Sequence, residues 1–136
     1  MAALTEARNT VEVQLGSTLV LPVAAATKIF DGALVVLDES GYAAPASKAD
    51  KLKAAGRAEC LADNSGGTAG AISVTVRRGV YLWDNDATNP VTIAHVMGPC
   101  YIVDDHTVCS LATGSSLAGT VLGLDGETGQ VIVETR

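Results

Sequence analysis

Turn signals built on Gly, Asp, Asn and Ser cut this chain roughly every ten residues, and the apolar runs between them are strand-length. Asp31-Gly32, Glu39-Ser40-Gly41, Asp63-Asn64-Ser65-Gly66-Gly67, Asp104-Asp105-His106 and Asp125-Gly126-Glu127-Thr128-Gly129 separate segments of Val, Ile, Leu, Ala and Tyr. A chain patterned this way is mostly β, a small single domain built as a β-sandwich or barrel with little helix. Its 136 residues suit one domain. With one Trp, three Tyr and one Phe, the core has to be aliphatic, and 14 Gly supply the turns.

Residues 1–16 read as an N-terminal arm and 17–136 as the β-rich domain. Met1–Thr10 is polar and without period, whereas Val11, Val13 and Leu15 alternate with Glu12 and Gln14 up to Gly16. That segment is either a first strand or an arm that pairs with another chain; Thr5, Arg8, Val11, Val13 and Leu15 are its candidate inter-chain contacts. Leu19–Ala26 contains Pro22, which lacks a ladder donor, so an edge or a bend is expected there. Ala33–Leu37 is apolar at every position, as in a strand covered on both faces, and forms a hairpin with Tyr42–Ala46.

Ser47–Ala58 is the weakly helical stretch. It offers Leu52 as its large apolar residue, so one helical turn or an exposed loop is expected, then a strand into Leu61. Asp63–Gly67 is expected to be loop. Ile72, Val74 and Val76 point inward from the next strand, which Arg77-Arg78-Gly79 interrupts as a bulge or tight turn before Val80–Trp83. Asp84–Pro90 reads as polar loop, Thr92 as the cap of a single turn closed by Gly98. Cys100–Val103 with Thr107–Leu111, and Gly119–Leu124 with Gln130–Thr135, read as hairpins.

A formal charge of −6 repels phosphate backbones, which argues against nucleic acid as a partner. The apolar run Leu15–Thr27 is broken by Gly16, Ser17, Thr18 and Pro22 and is too short to span a bilayer. The first residues lack the basic-then-apolar order of a signal peptide. Three cysteines at scattered spacings suggest free thiols in a reducing cytoplasm.

Chemistry-bearing patterns are weak. Asp104-Asp105-His106 sets carboxylates beside an imidazole, but at a hairpin tip it reads as a turn. His95 has no partner at metal-ligand spacing and takes a surface or packing role. Asp84-Asn85-Asp86 opens like a calcium loop, then places Asn89 where glycine is needed and His95 where a bidentate Glu is needed. Gly66, Gly67 and Gly70 lack the Gly-Lys-Ser/Thr of a phosphate loop. Gly114-Ser115-Ser116-Leu117-Ala118 approaches a nucleophile elbow without its last glycine and reads as a flexible loop. No catalytic, cofactor or metal residue is expected.

A two-residue loop at Asp104-Asp105 sets Cys100 opposite Cys109 and permits a disulfide, whereas a three-residue loop sets Tyr101 opposite Cys109 and leaves the thiols as small apolar residues. Lys48, Lys51, Lys53 and Arg57, with Arg77 and Arg78, are either a solvated face or a docking patch for an acidic neighbour.

Several segments, in order, carry a family resemblance. They are Met1–Thr10, Asp31–Ala44, Gly56-Arg57-Ala58, Asp63–Gly67, Ser73–Tyr81 and Cys100–Val108. With them the chain resembles the head-decoration, or structural cement, proteins of tailed bacteriophages and prophages. The resemblance implies a β-rich protein without enzymatic activity that binds the outside of an assembled head and stabilises the mature shell. It also implies an extended N-terminal segment, the major capsid protein as partner, and a homotrimer. Neither nucleic acid nor membrane is an implied partner. The protein would be made in the host cytoplasm and reside on the capsid exterior. The Val11–Leu15 alternation and the three cysteines depart from the family's pattern. Alternatives are another virion structural protein, of the tail or of head completion, and a small ligand-binding β-barrel around Asp104, Asp105 and His106.

Overall fold

The computed structural model describes residues 2–11 and 16–136. Its strands are β1 (Thr18–Pro22), β2 (Thr27–Ile29), β3 (Leu34–Leu37), β4 (Ala43–Pro45), β5 (Lys53–Ala58), β6 (Ala62–Asn64), β7 (Ser73–Arg77), β8 (Gly79–Asn85), β9 (Pro99–Ile102), β10 (Thr107–Cys109), β11 (Leu117–Leu124) and β12 (Val131–Thr135). A 3-10 turn covers Ile93–His95. The protein is mostly β, as its turn rhythm predicts. Among the described residues, no helix is long and apolar enough to cross a membrane.

The choice between sandwich and barrel resolves into both kinds of packing. Strands β1-β7-β5-β3-β4 form an antiparallel sheet, β2 and β6 form a two-stranded ribbon, and β10-β8-β12-β11-β9 close into a barrel. Within the barrel β8 and β10 run parallel; the other pairs are antiparallel. Strand β3 belongs to both cores. Its Leu34 and Val36 join Trp83, Ile102, Val121 and Val133 in the barrel core, while Val35 faces Val23, Ile29, Val74 and Val76. That double burial is why every residue of this segment is apolar, since neither face of the strand meets water.

The expected hairpin of β3 with β4 forms, with Leu37 opposite Ala43. Strand β1 is one edge of the sheet, and Pro22 ends it opposite Ser73. The break at Arg77-Arg78-Gly79 is the crossing between layers: β7 ends the sheet at Arg77 and β8 starts the barrel at Gly79.

Three boundaries differ from the sequence expectation. Ser47–Ala58 contains neither a helical turn nor only loop: β5 begins at Lys53, lies between β3 and β7, and stops at Ala58, short of the exposed Leu61. Asp63 and Asn64 are strand, not loop, and the buried Asn64 side chain donates to Ala24 C=O (2.9 Å) and Thr68 C=O (3.0 Å). Buried amides need such partners, and here they hold the following loop against the ribbon. Asp84 and Asn85 extend β8, and Asn85 clamps Val91 through hydrogen bonds to its N–H (2.8 Å) and C=O (2.9 Å).

The sheet is bound to the barrel by long-range polar ties. Leu34 N–H donates to Asp105 C=O (2.8 Å), Leu52 N–H to Ser116 Oγ (3.0 Å), and Ser116 Oγ–H to Ala49 C=O (2.6 Å). Two glycines permit close backbone approach. A Cβ on Gly56, whose φ is +142°, would lie 2.3 Å from Arg77 O, and one on Gly119 would lie 2.3 Å from Glu134 O.

Candidate docking surface

The arm comes first in the chain. Residues 2–11 are all exposed and carry no strand; Leu4 is 73% and Val11 71% exposed. A hydrogen bond from Thr10 N–H to Arg8 C=O (3.2 Å) is internal to the segment. Thr5, Arg8 and Val11 therefore present their side chains to solvent. Val13 and Leu15, with most of the alternating Val11–Leu15 pattern, lie outside the described residues. Beyond Gly16 the chain enters β1, the sheet edge, where Val20 is 66% exposed.

The six candidate docking cations fall into separate groups. Arg57 and Arg77 sit directly opposite each other on β5 and β7. Like charges so placed repel, and the neighbours offset this. Arg57 donates to Glu59 Oε1 (2.8 Å), its guanidinium lies 4.6 Å from the Tyr81 ring centroid, and Tyr81 O–H donates to Arg77 C=O (2.8 Å). The hydrogen bond to Glu59 raises the Arg57 pKa above its ordinary value. Lys48 and Lys51 lie on the exposed connection from β4 to β5, and Lys51 is 3.6 Å from Glu39.

Lys53 and Arg78 lie along the seam between sheet and barrel, where Arg136, missed in the sequence reading, joins them. A hollow of about 250 Å3 is lined by Gly16, Ser17, Arg78 and Arg136. A second, also about 250 Å3, is lined by Leu52, Lys53, Ala54, Leu117, Ala118, Gly119, Thr135 and Arg136. Arg136 makes a 3.3 Å ion pair with Glu134, whereas among the described residues neither Arg78 nor Lys53 has an acidic partner. Arg78 is anchored by its backbone N–H, which donates to Ser17 C=O (2.6 Å). Among the described residues its buried Nε has no hydrogen-bond partner, and neither has Trp83 Nε1 in the barrel core. An unsatisfied buried donor costs about 1–3 kcal/mol, more when charged.

Asp104-Asp105-His106 is a three-residue tip. Asp104 Oδ1 accepts from His106 N–H (2.9 Å), and Asp105 C=O holds Leu34 N–H. The sequence reading missed the partner from β8: His106 Nδ1 is 3.1 Å from Asp84 Oδ2, and Asp84 Oδ1 accepts from Gln130 Nε2 (3.0 Å). The hydrogen bond to Asp84 is the main cause that raises the His106 pKa, aided by the charges of Asp104 and Asp105. Hydrogen bonds from Gln130 and then His106 lower that of Asp84. Among the described residues the ligand atoms of Asp104, Asp105 and His106 lie within 4.8 Å of one another; His106 is exposed, and Asp104 Oδ1 already accepts from His106 N–H.

The remaining sequence candidates occupy structural positions. His95 Nδ1 accepts from Thr92 N–H (2.9 Å), and Gly98 N–H donates to His95 C=O (2.9 Å), closing the turn. Of the expected Gly114–Ala118 loop, Leu117 and Ala118 open β11 instead; Ser115 donates to Ile102 C=O and Ser116 ties Ala49 to Leu52, so Gly114–Ser116 fastens sheet to barrel and is not a flexible tether. Tyr101 stands opposite Cys109, the three-residue register, and Cys60, Cys100 and Cys109 are all free thiols. Burial pushes the Cys100 thiol up to about 12.

No family model, curated protein or solved structure matches the chain.

Proposed function

We propose that the protein binds the outer surface of a tailed-phage head and reinforces the mature shell, without catalysis. The major capsid protein is the partner, the capsid exterior the working location, and a homotrimer the acting form. The observation that carries this reading is the arm. Residues 2–11 hold Leu4 and Val11 out in solvent ahead of a strand at a sheet edge. Apolar anchors on an extended segment gain most when they are buried on another chain. Adding a strand to a neighbour's sheet edge supplies backbone hydrogen bonds as well. Many copies on one shell let each contact be weak.

The test is deletion of residues 1–11. The body should keep its fold by circular dichroism and its thermal midpoint, because the described arm residues bury nothing against it. Co-sedimentation with purified heads should be lost. Undiminished head binding by the truncated protein would remove the arm from the account.

A further inference from the structure

We infer that the charge-free apolar face formed by β9, β11 and the turn at Ile93–His95 is where a second copy of this chain packs. This rests on the homo-oligomer of the proposed function and names the surface through which it forms.

The chain concentrates its neutral sequence in neighbouring strands of the barrel. Residues 87–103 and 107–124 contain no Asp, Glu, Lys or Arg, although the whole chain carries a formal charge of −6. These stretches fold against each other. On β9 and β11, Tyr101 stands opposite Leu117 and Pro99 opposite Thr120. Met97 N–H donates to Val121 C=O (2.7 Å), and Val121 N–H to Gly98 C=O (2.8 Å), which brings the turn beside Leu122. The outward residues are large and apolar: Ile93 is 79%, Met97 76% and Leu117 52% exposed, and Val96 and Leu122 are exposed as well. Glu134, opposite Thr120 on β12, is half-buried and already pairs with Arg136 at 3.3 Å.

The turn holds its side chains out on a fixed backbone. None of the residues Ile93–His95 is buried. Asn85 clamps Val91 ahead of the turn, His95 Nδ1 accepts from Thr92 N–H (2.9 Å), and Gly98 N–H closes on His95 C=O (2.9 Å). Met97 has a φ of 70°, which a residue other than glycine rarely adopts, yet its side chain gains little burial within its own chain. An apolar knob fixed in this way loses little conformational freedom when a partner covers it.

Charge identifies the partner. A partner of opposite or mixed charge is met by complementary groups, and among the described residues this face offers none. Two copies of an acidic chain repel each other where their carboxylates meet, so they approach at least cost through a surface without charges. The centres of protein interfaces have the same composition, poor in charged residues and rich in Met and aromatic ones, here Met97 and Tyr101.

The test is sedimentation equilibrium on the full chain, with co-sedimentation with heads as a second readout. The chain should self-associate. Ile93→Ser, Met97→Glu and Met97→Gly should each weaken that association about tenfold or more while keeping the native circular dichroism. Leu61→Glu, at an exposed apolar site beside β6, should leave it within about twofold. Met97→Gly keeps the test decisive if the charged variant fails to fold, because glycine takes a φ of 70° without strain. A parent chain that stays monomeric overturns the inference, and the homo-oligomer with it, whether or not the monomer binds heads. An oligomer that all three variants keep overturns this face and leaves the homo-oligomer standing; loss of head binding by those variants would make the face a shell contact instead. A parent chain that associates through this face and never binds a head upholds the inference, while the phage-head reading falls.

Discussion

His106 shows how a turn residue acquires electrostatics from outside its own turn. Its neighbours Asp104 and Asp105 are visible in the sequence, but Asp84, the partner that does most to raise its pKa, arrives from β8. A histidine raised on folding lends its stability in full below its unfolded pKa, near 6.5, and that share is lost as pH rises through the higher folded value. Asp84, depressed on folding, lends its share above the ordinary carboxylate range and loses it as pH falls through its lowered value. The pair is thus complete only between those limits. Asp84→Asn should move the His106 titration, followed by proton NMR, downward toward 6.5, leaving the smaller effects of Asp104 and Asp105. His106→Asn should change stability at pH 7 by less than about 1 kcal/mol in urea unfolding, because exposed ion pairs contribute little. A larger loss would mean that the His106–Asp84 pair contributes more than an exposed ion pair. The thiols allow a second check. Cys60 is exposed, while Cys100 and Cys109 are buried. A thiol reagent should label Cys60 quickly in the native protein and the other two only on unfolding; rapid native labelling of Cys100 would contradict its burial.

Among the elements, β5 is the most informative. Its sequence, Lys53-Ala-Ala-Gly-Arg-Ala58, has neither β-branched residues nor an alternating pattern, and a register shift opposite Val35 and Val36 disrupts the period further. Nothing local identifies it as a strand; its place between β3 and β7 does, and small residues are what allow β7 to come close. Gly56→Ala tests this directly. Its new Cβ would meet Arg77 O at 2.3 Å in a backbone conformation that side chains rarely adopt, so a loss of about 3 kcal/mol is expected in equilibrium unfolding. A change below about 1 kcal/mol would show that β5 can move away from β7 freely. Strand β3 is the opposite case, since its unbroken apolar run announces burial on both faces. The hairpins from β3 to β4, β9 to β10 and β11 to β12 were legible for the same local reason, a turn flanked by apolar strands. The division of strands between sheet and barrel was not, because it depends on pairings between distant segments such as β1 with β7 and β8 with β12. The same limit hid Arg136, which lines the same hollow as Arg78 only when the seam is assembled.

At the scale of the whole molecule, an acidic protein with cations at its seam that have no acidic partner among the described residues, and with an exposed arm, should bind through two kinds of contact. The cationic part should weaken as salt rises, since exposed charges are screened over about 8 Å at physiological ionic strength. The apolar and strand-pairing part of the arm should persist. Neither requires turnover, because whatever binds the assembled shell and not its dissociated subunits stabilises the shell by mass action. The measurement that bears most directly on this claim is the rupture temperature of purified heads, stripped of the protein and then titrated with it. The account predicts that rupture moves to higher temperature, that the gain saturates at a fixed ratio of protein to shell subunit, and that chain lacking residues 1–11 gives none. Equal rupture temperatures for bare and fully titrated heads would contradict it.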